Sequence, residues 1–141
     1  MKILTIIVGS ILFFIAIFSI SINKDAIRGT SWVCYWDEEQ RYADSLSFKD
    51  SIYMYYSYEV QQHFYGEYYL IDEFLFLEIR GEVWQYNFPK YVPDDPPKGI
   101  RQVAVITKNN LQFIKAQEIN NSVWVDLDFK YNDTYIFRKS N

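Results

Sequence analysis

The chain has 141 residues, 20 % of them aromatic, with 1 Cys, 1 His and a formal charge of −4. That length fits one domain with a real core, and the aromatic content excludes disordered, collagen-like and disulfide-scaffold classes. A single Cys and a single His exclude an internal disulfide and a multi-histidine metal centre, and the acidic balance argues against a nucleic-acid footprint.

Residues 3–22 carry no charge and consist mainly of Ile, Leu, Phe and Val. Such a run is long enough to span a bilayer as a hydrophobic helix. It also has the organisation of a secretory signal, with Lys2 before it and Ser19 and Ser21 at the positions expected around a cleavage site. Residues 1–21 are therefore expected to be a signal peptide or a membrane anchor. Residues 22–28 form a linker, and 29–141 the folded domain. Either reading exports the domain to the periplasm, the cell envelope or the extracellular space. Membrane contact through residues 3–22 follows if the leader is retained. Without residues 1–21, which hold one Lys and no acid, the charge becomes −5.

From Gly29 onward the hydrophobic period is two, the period of half-buried strands. Thr30, Trp32, Cys34 and Trp36 share one face of a first strand, with Cys34 expected to be buried as a small hydrophobe. Ile52, Met54, Tyr56, Tyr58 and Val60 share a face of another strand, and Tyr53 and Tyr55 are read as pointing outward. Leu75, Leu77 and Ile79 alternate with Phe76, Glu78 and Arg80. Arg80-Gly81-Glu82 then reads as a turn before Trp84, Tyr86 and Phe88. Val123, Val125, Leu127 and Phe129 form the cleanest alternation. Weaker strands are expected at 44–48, 67–71, 102–108, 111–118 and 134–139. Lys49-Asp50, Asp72-Glu73, Asn109-Asn110, Asn120-Asn121 and Asn132-Asp133 supply turns. Pro89, Pro93, Pro96 and Pro97 mark 89–100 as a surface loop. About ten short strands with tight connections predict an all-β fold: one antiparallel up-and-down meander closed into a barrel.

Ile27-Arg28-Gly29-Thr30-Ser31-Trp32 opens this domain. A Gly-Thr-x-Trp start behind a secretory leader, followed by a small all-β meander, resembles bacterial secreted lipocalin-like domains and the related META-type domains. The Gly29-to-Trp32 spacing is one residue longer than the Gly-x-Trp of classical lipocalins. The resemblance implies a barrel over residues 27–139 in which Trp32 closes one end against a late basic residue, here Arg138.

Catalytic chemistry finds little to work with. His63 lies in the polar stretch Gln61-Gln62-His63-Phe64, a strand end or turn. Asp94 with Asp95, and Asp126 with Asp128, read as solvated acids; Asp37-Glu38-Glu39 and Asp94-Asp95 supply oxygen ligands suited to calcium but lack the alternating spacing and glycine of a calcium loop. No catalytic residue, cofactor or metal site is expected. The expectation is a non-enzymatic barrel that binds a small apolar or amphipathic ligand inside, with Tyr56, Tyr58, Tyr68, Trp84 and Tyr86 as its lining. A different class stays open: a filled core, with Tyr69, Phe74 and Phe76 forming an outer patch for an envelope protein or a glycan. The first needs a cavity of about 300 Å³ faced by tyrosine hydroxyls. The second needs the three outer rings exposed together.

Overall fold

A computed structural model describes residues 24–83 and 97–141. A short helix, α1 (Lys24–Ile27), precedes nine strands: β1 (Ser31–Tyr35), β2 (Ala43–Lys49), β3 (Ile52–Ser57), β4 (Gln62–Ile71), β5 (Phe74–Val83), β6 (Ile100–Ile106), β7 (Asn110–Asn120), β8 (Val123–Asp126) and β9 (Ile136–Lys139). The apolar stretch 3–22 and the expected strand over Trp84, Tyr86 and Phe88 lie outside the described residues. Among the described residues no helix is long and apolar enough to cross a membrane.

β1 to β7 form an antiparallel meander in which each strand pairs with the next, and β9 pairs with both β7 and β1. The result is a closed barrel of eight strands, with β8 hydrogen-bonded only to the far half of β7. β9 thereby joins the two edges of the meander over a few residues, closing the sheet as expected of a meander this size. Tight turns set the registers. Asp50 and Asp72 adopt positive φ of 55° and 53° in their hairpins, and Asn121 and Ser122 do so at 49° and 66°. Asp and Asn tolerate this region better than other non-glycine residues.

One end of the barrel is filled. Ile27, Trp32, Phe48, Tyr68, Leu75, Ile106 and Leu111 pack there with at most 2 % exposure. α1 delivers Ile27 as a plug, held by Gly29 N–H to Phe48 O at 2.8 Å and Phe48 N–H to Thr30 O at 3.0 Å. An eight-stranded barrel has an interior about wide enough for such side chains.

Several expectations are corrected. In β3 the inward face is Tyr53, Tyr55 and Ser57, because Tyr53 and Tyr55 stand across from Phe48 and Leu46, which are already buried, and Ser57 follows their alternation. Met54 and Tyr56 point outward. Arg80-Gly81-Glu82 is no turn: β5 continues through it, with a bulge opposite Tyr65 and Gly66. Tyr65 lies across Gly81 so closely that a Cβ there would meet its hydroxyl at 2.3 Å. The strand that starts at Val123 ends at Asp126, and Val123, Val125 and Phe129 are exposed because β8 stands outside the ring. Arg138 does not pack on Trp32. It lies exposed on the outer face of β9, next to the buried, inward Phe137. The Trp32 indole N–H donates instead to Thr30 Oγ1 at 2.9 Å.

At the bulge, a Cβ on Gly66 would sit 1.8 Å from the Glu78 carbonyl oxygen. Gly66→Ala must displace backbone, so it is expected to cost about 2–3 kcal/mol, read as a lower urea midpoint at unchanged slope.

Candidate functional site

The other end of the barrel is built differently. β9 is only four residues long, so it pairs with β1 through Trp32 and Val33 alone, and with β7 through Asn110 to Gln112. Beyond these pairs, the chain from Leu127 to Tyr135 runs between β8 and β9. It is tied in by Leu127 N–H to Ala116 O at 2.9 Å and by Tyr135 N–H to Asn132 O at 2.9 Å. A pocket of about 470 Å³ opens here, lined from the strands by Cys34, Asp44, Tyr55, Ser57 and Gln102 and from the crossing segment by Phe129, Tyr131 and Tyr135.

Asp44 organises this end. It follows the inward alternation of β2 with Leu46 and Phe48, so the backbone carries a carboxylate into the barrel with no exposed surface. A buried charge needs hydrogen bonds. The Tyr58 N–H donates to Asp44 Oδ1 at 2.7 Å, and the Tyr55 hydroxyl to Oδ2 at 3.1 Å. The Tyr135 hydroxyl makes a short contact with the same Oδ2, and the two phenol oxygens lie 2.8 Å apart. Burial, reinforced by the Asp44 charge, pushes the Tyr55 phenol well above its ordinary range. Burial and the neighbouring Tyr55 push Tyr135 up further. Both therefore stay protonated as donors.

An aromatic wall continues from this node. Trp36 meets Tyr135 edge-on at 6.1 Å, Tyr131 stacks parallel to Tyr135 at 6.3 Å, and Phe129 meets Tyr131 edge-on at 4.7 Å. Phe113 backs the wall from the core, 5.3 Å from Tyr131. Gln102 Nε2 donates to the Tyr131 hydroxyl at 2.9 Å, and burial pushes that phenol up to about 12. Trp36 and Phe129 are about half exposed at the rim, at 51 % and 54 %.

Cys34 is buried beside Asp44, as the alternation of β1 requires, and burial, then the Asp44 charge, lifts its thiol up to about 11. His63 is on the opposite, outer face, 4.8 Å from the Tyr56 ring, and burial lowers its pKa. The barrel wall separates the two, so they do not form a nucleophile–base pair.

The structure places the residues expected from sequence as follows. Tyr68 is interior, but its hydroxyl donates to Asp50 O at 2.7 Å at the filled end. Tyr56 sits outside against His63, and Tyr58 stacks on Tyr42 at 4.7 Å. Trp84 and Tyr86 lie outside the described residues, as do Asp94 and Asp95. On the outer face, Tyr69 and Phe76 stack at 4.9 Å, but neither is freely exposed. Arg101 lies between Phe76 at 4.7 Å and Trp124 at 4.2 Å, and donates to the Tyr69 hydroxyl at 2.5 Å. Phe74, at 36 %, is the exposed member of the trio. Asp37 is occupied by its own loop, accepting from the Arg41 and Tyr42 backbones. Asp126 accepts from Gln117 and Lys115.

Sequence reasoning overlooked Asp44, Tyr55, Tyr131 and Tyr135. The signal for Asp44 was present: Asp44-x-Leu46-x-Phe48 puts an acid in register with two core residues. No family model, curated protein or solved structure matches the chain. What its fold and site define is a closed antiparallel β-barrel, filled at one end and carrying an aromatic pocket at the other.

Two outcomes follow from this geometry. Asp44→Ala strands the Tyr58 N–H and two hydroxyls and is expected to destabilise by about 3 kcal/mol in urea titration. The raised Cys34 value also sets an alkaline limit. Below about 9 the thiol is protonated in folded and unfolded chains alike, and its contribution is fully present. As pH rises from 9 through 11, the unfolded chain loses the proton first, so stability falls. Cys34→Ala is expected to flatten that first part of the alkaline stability profile.

Proposed function

We propose that the protein is a non-enzymatic, exported or membrane-tethered barrel of lipocalin-like kind, which binds a small amphipathic ligand in the pocket at its open mouth. The observation that carries this reading is the pocket itself. Its volume of about 470 Å³ lies within the range of small-molecule sites, and its lining combines an apolar aromatic wall with a few convergent polar groups. The ligand's apolar part would lie against Trp36, Phe129 and Tyr131, and its polar part against Tyr55 and Tyr135.

Lys24 and Ile27 enter at the filled end, and Tyr35 leaves β1 at the mouth. The mouth therefore lies at the end of the barrel opposite the entering chain. The alternative of an outer docking face has less support, because Arg101 and Trp124 already cover the Tyr69–Phe76 stack.

Glu59 is exposed and lines the pocket, so Glu59→Trp narrows the mouth without entering the core. The full chain is expected to bind the neutral fluorophore N-phenyl-1-naphthylamine saturably with one-to-one stoichiometry, and the Glu59→Trp variant at least about fivefold more weakly. Equal titrations for both proteins would remove the mouth pocket as the binding site.

A further inference from the structure

Resting on the mouth pocket as a ligand site, we infer that the polar end of its ligand is an organic ammonium group. Hydrogen-bond donors run short where the pocket is most buried. Tyr55 and Tyr135 hold one hydroxyl proton each, and three contacts compete for them: Tyr55 to Asp44, Tyr135 to Asp44, and Tyr55 to Tyr135. Whichever arrangement holds, both protons are used inside the triad. The Tyr58 N–H is consumed on Asp44 Oδ1 as well. The Ser57 hydroxyl, also in the lining, is engaged on the Tyr55 phenol oxygen. What the triad still offers is acceptor capacity, namely its remaining phenol lone pairs with a carboxylate behind them. Asp44 has no exposed surface, whereas the two tyrosines are partly exposed, so a ligand meets the phenol oxygens and feels the charge through them.

An anionic head group would meet repulsion from Asp44 and find neither triad hydroxyl proton free; the nearest uncommitted donor is the Tyr131 hydroxyl, which accepts from Gln102. A hydroxyl could donate a single hydrogen bond. An ammonium group can donate to both phenol oxygens while opposing the Asp44 charge. The node lies among aromatic rings, with Tyr131 parallel to Tyr135 and Trp36 edge-on to it. Indole and phenol faces attract cations. Of the other charged groups lining the pocket, Glu59 and Lys130 are both exposed at the rim and offset one another. The buried carboxylate therefore sets the sign of the inner end.

The test compares three six-carbon probes on the full chain by isothermal titration calorimetry: hexylammonium, 1-hexanol and hexyl sulfate. Hexylammonium is expected to bind about tenfold more tightly than hexanol, and hexyl sulfate more weakly than both. Asp44→Asn retains an acceptor for the Tyr58 N–H and removes the charge, so it is expected to bring the hexylammonium and hexanol affinities within about twofold of one another. Should that variant not fold, Tyr55→Phe, which removes one of the two phenol oxygens but keeps the ring, is expected to reduce the preference at least about threefold. Hexylammonium binding no tighter than hexanol would overturn the ammonium assignment and leave the pocket standing. Hexyl sulfate binding best of the three would overturn it in the same way. If none of the three binds, the pocket reading falls with it.

Discussion

The barrel is closed by a strand too short to close it completely, and most of what distinguishes this protein follows from that seam. β9 supplies hydrogen-bond partners to β1 and β7 only near the filled end. Beyond Val33 on β1 and Gln112 on β7 no ladder reaches β9, and the polypeptide between β8 and β9 covers the gap with side chains. Tyr131 and Tyr135 do so by stacking on Phe113 and on each other. A seam without aromatic cover would expose the core.

Asp44 locks this arrangement across long sequence distances. The carboxylate comes from β2, Tyr55 from β3 and Tyr135 from the segment before β9, so one node ties the start of the meander to its end. Buried charges of this kind are a poor source of net stability, because desolvation offsets much of what the hydrogen bonds return. Their value lies in specificity. Only the register that places all three donors on Asp44 satisfies the group, which disfavours slipped pairings of β2 and β3 and other paths for the crossing segment.

The two ends of the barrel divide the work between them. At the filled end Ile27, Trp32, Phe48 and Tyr68 give dense apolar packing that holds the strands in place. At the mouth, the same kind of aromatic side chains are only partly buried and are interleaved with polar groups. A densely packed base under a partly open rim holds the walls of the pocket from below.

The all-β class, the hairpin turns and two of the strand faces were legible in the sequence. Turn chemistry at Asp50, Asp72 and Asn121 acts within a few residues, and Trp32 with Cys34, like Leu75 with Leu77, stands out clearly from its polar neighbours. β3 was not legible, because Tyr53 and Tyr55 on one face and Met54 and Tyr56 on the other are comparably apolar. Alternation then shows that there are two faces without saying which is inside, and contact with Phe48 and Leu46 across the ladder decided it. The Val123–Phe129 alternation misled for the opposite reason: a clean period of two also describes a hairpin arm standing outside the ring. The aromatic excess was thus determined locally, as strand-forming residues. Its division between a packed base and a pocket around Asp44 was decided only in three dimensions, by where a four-residue closing strand stops.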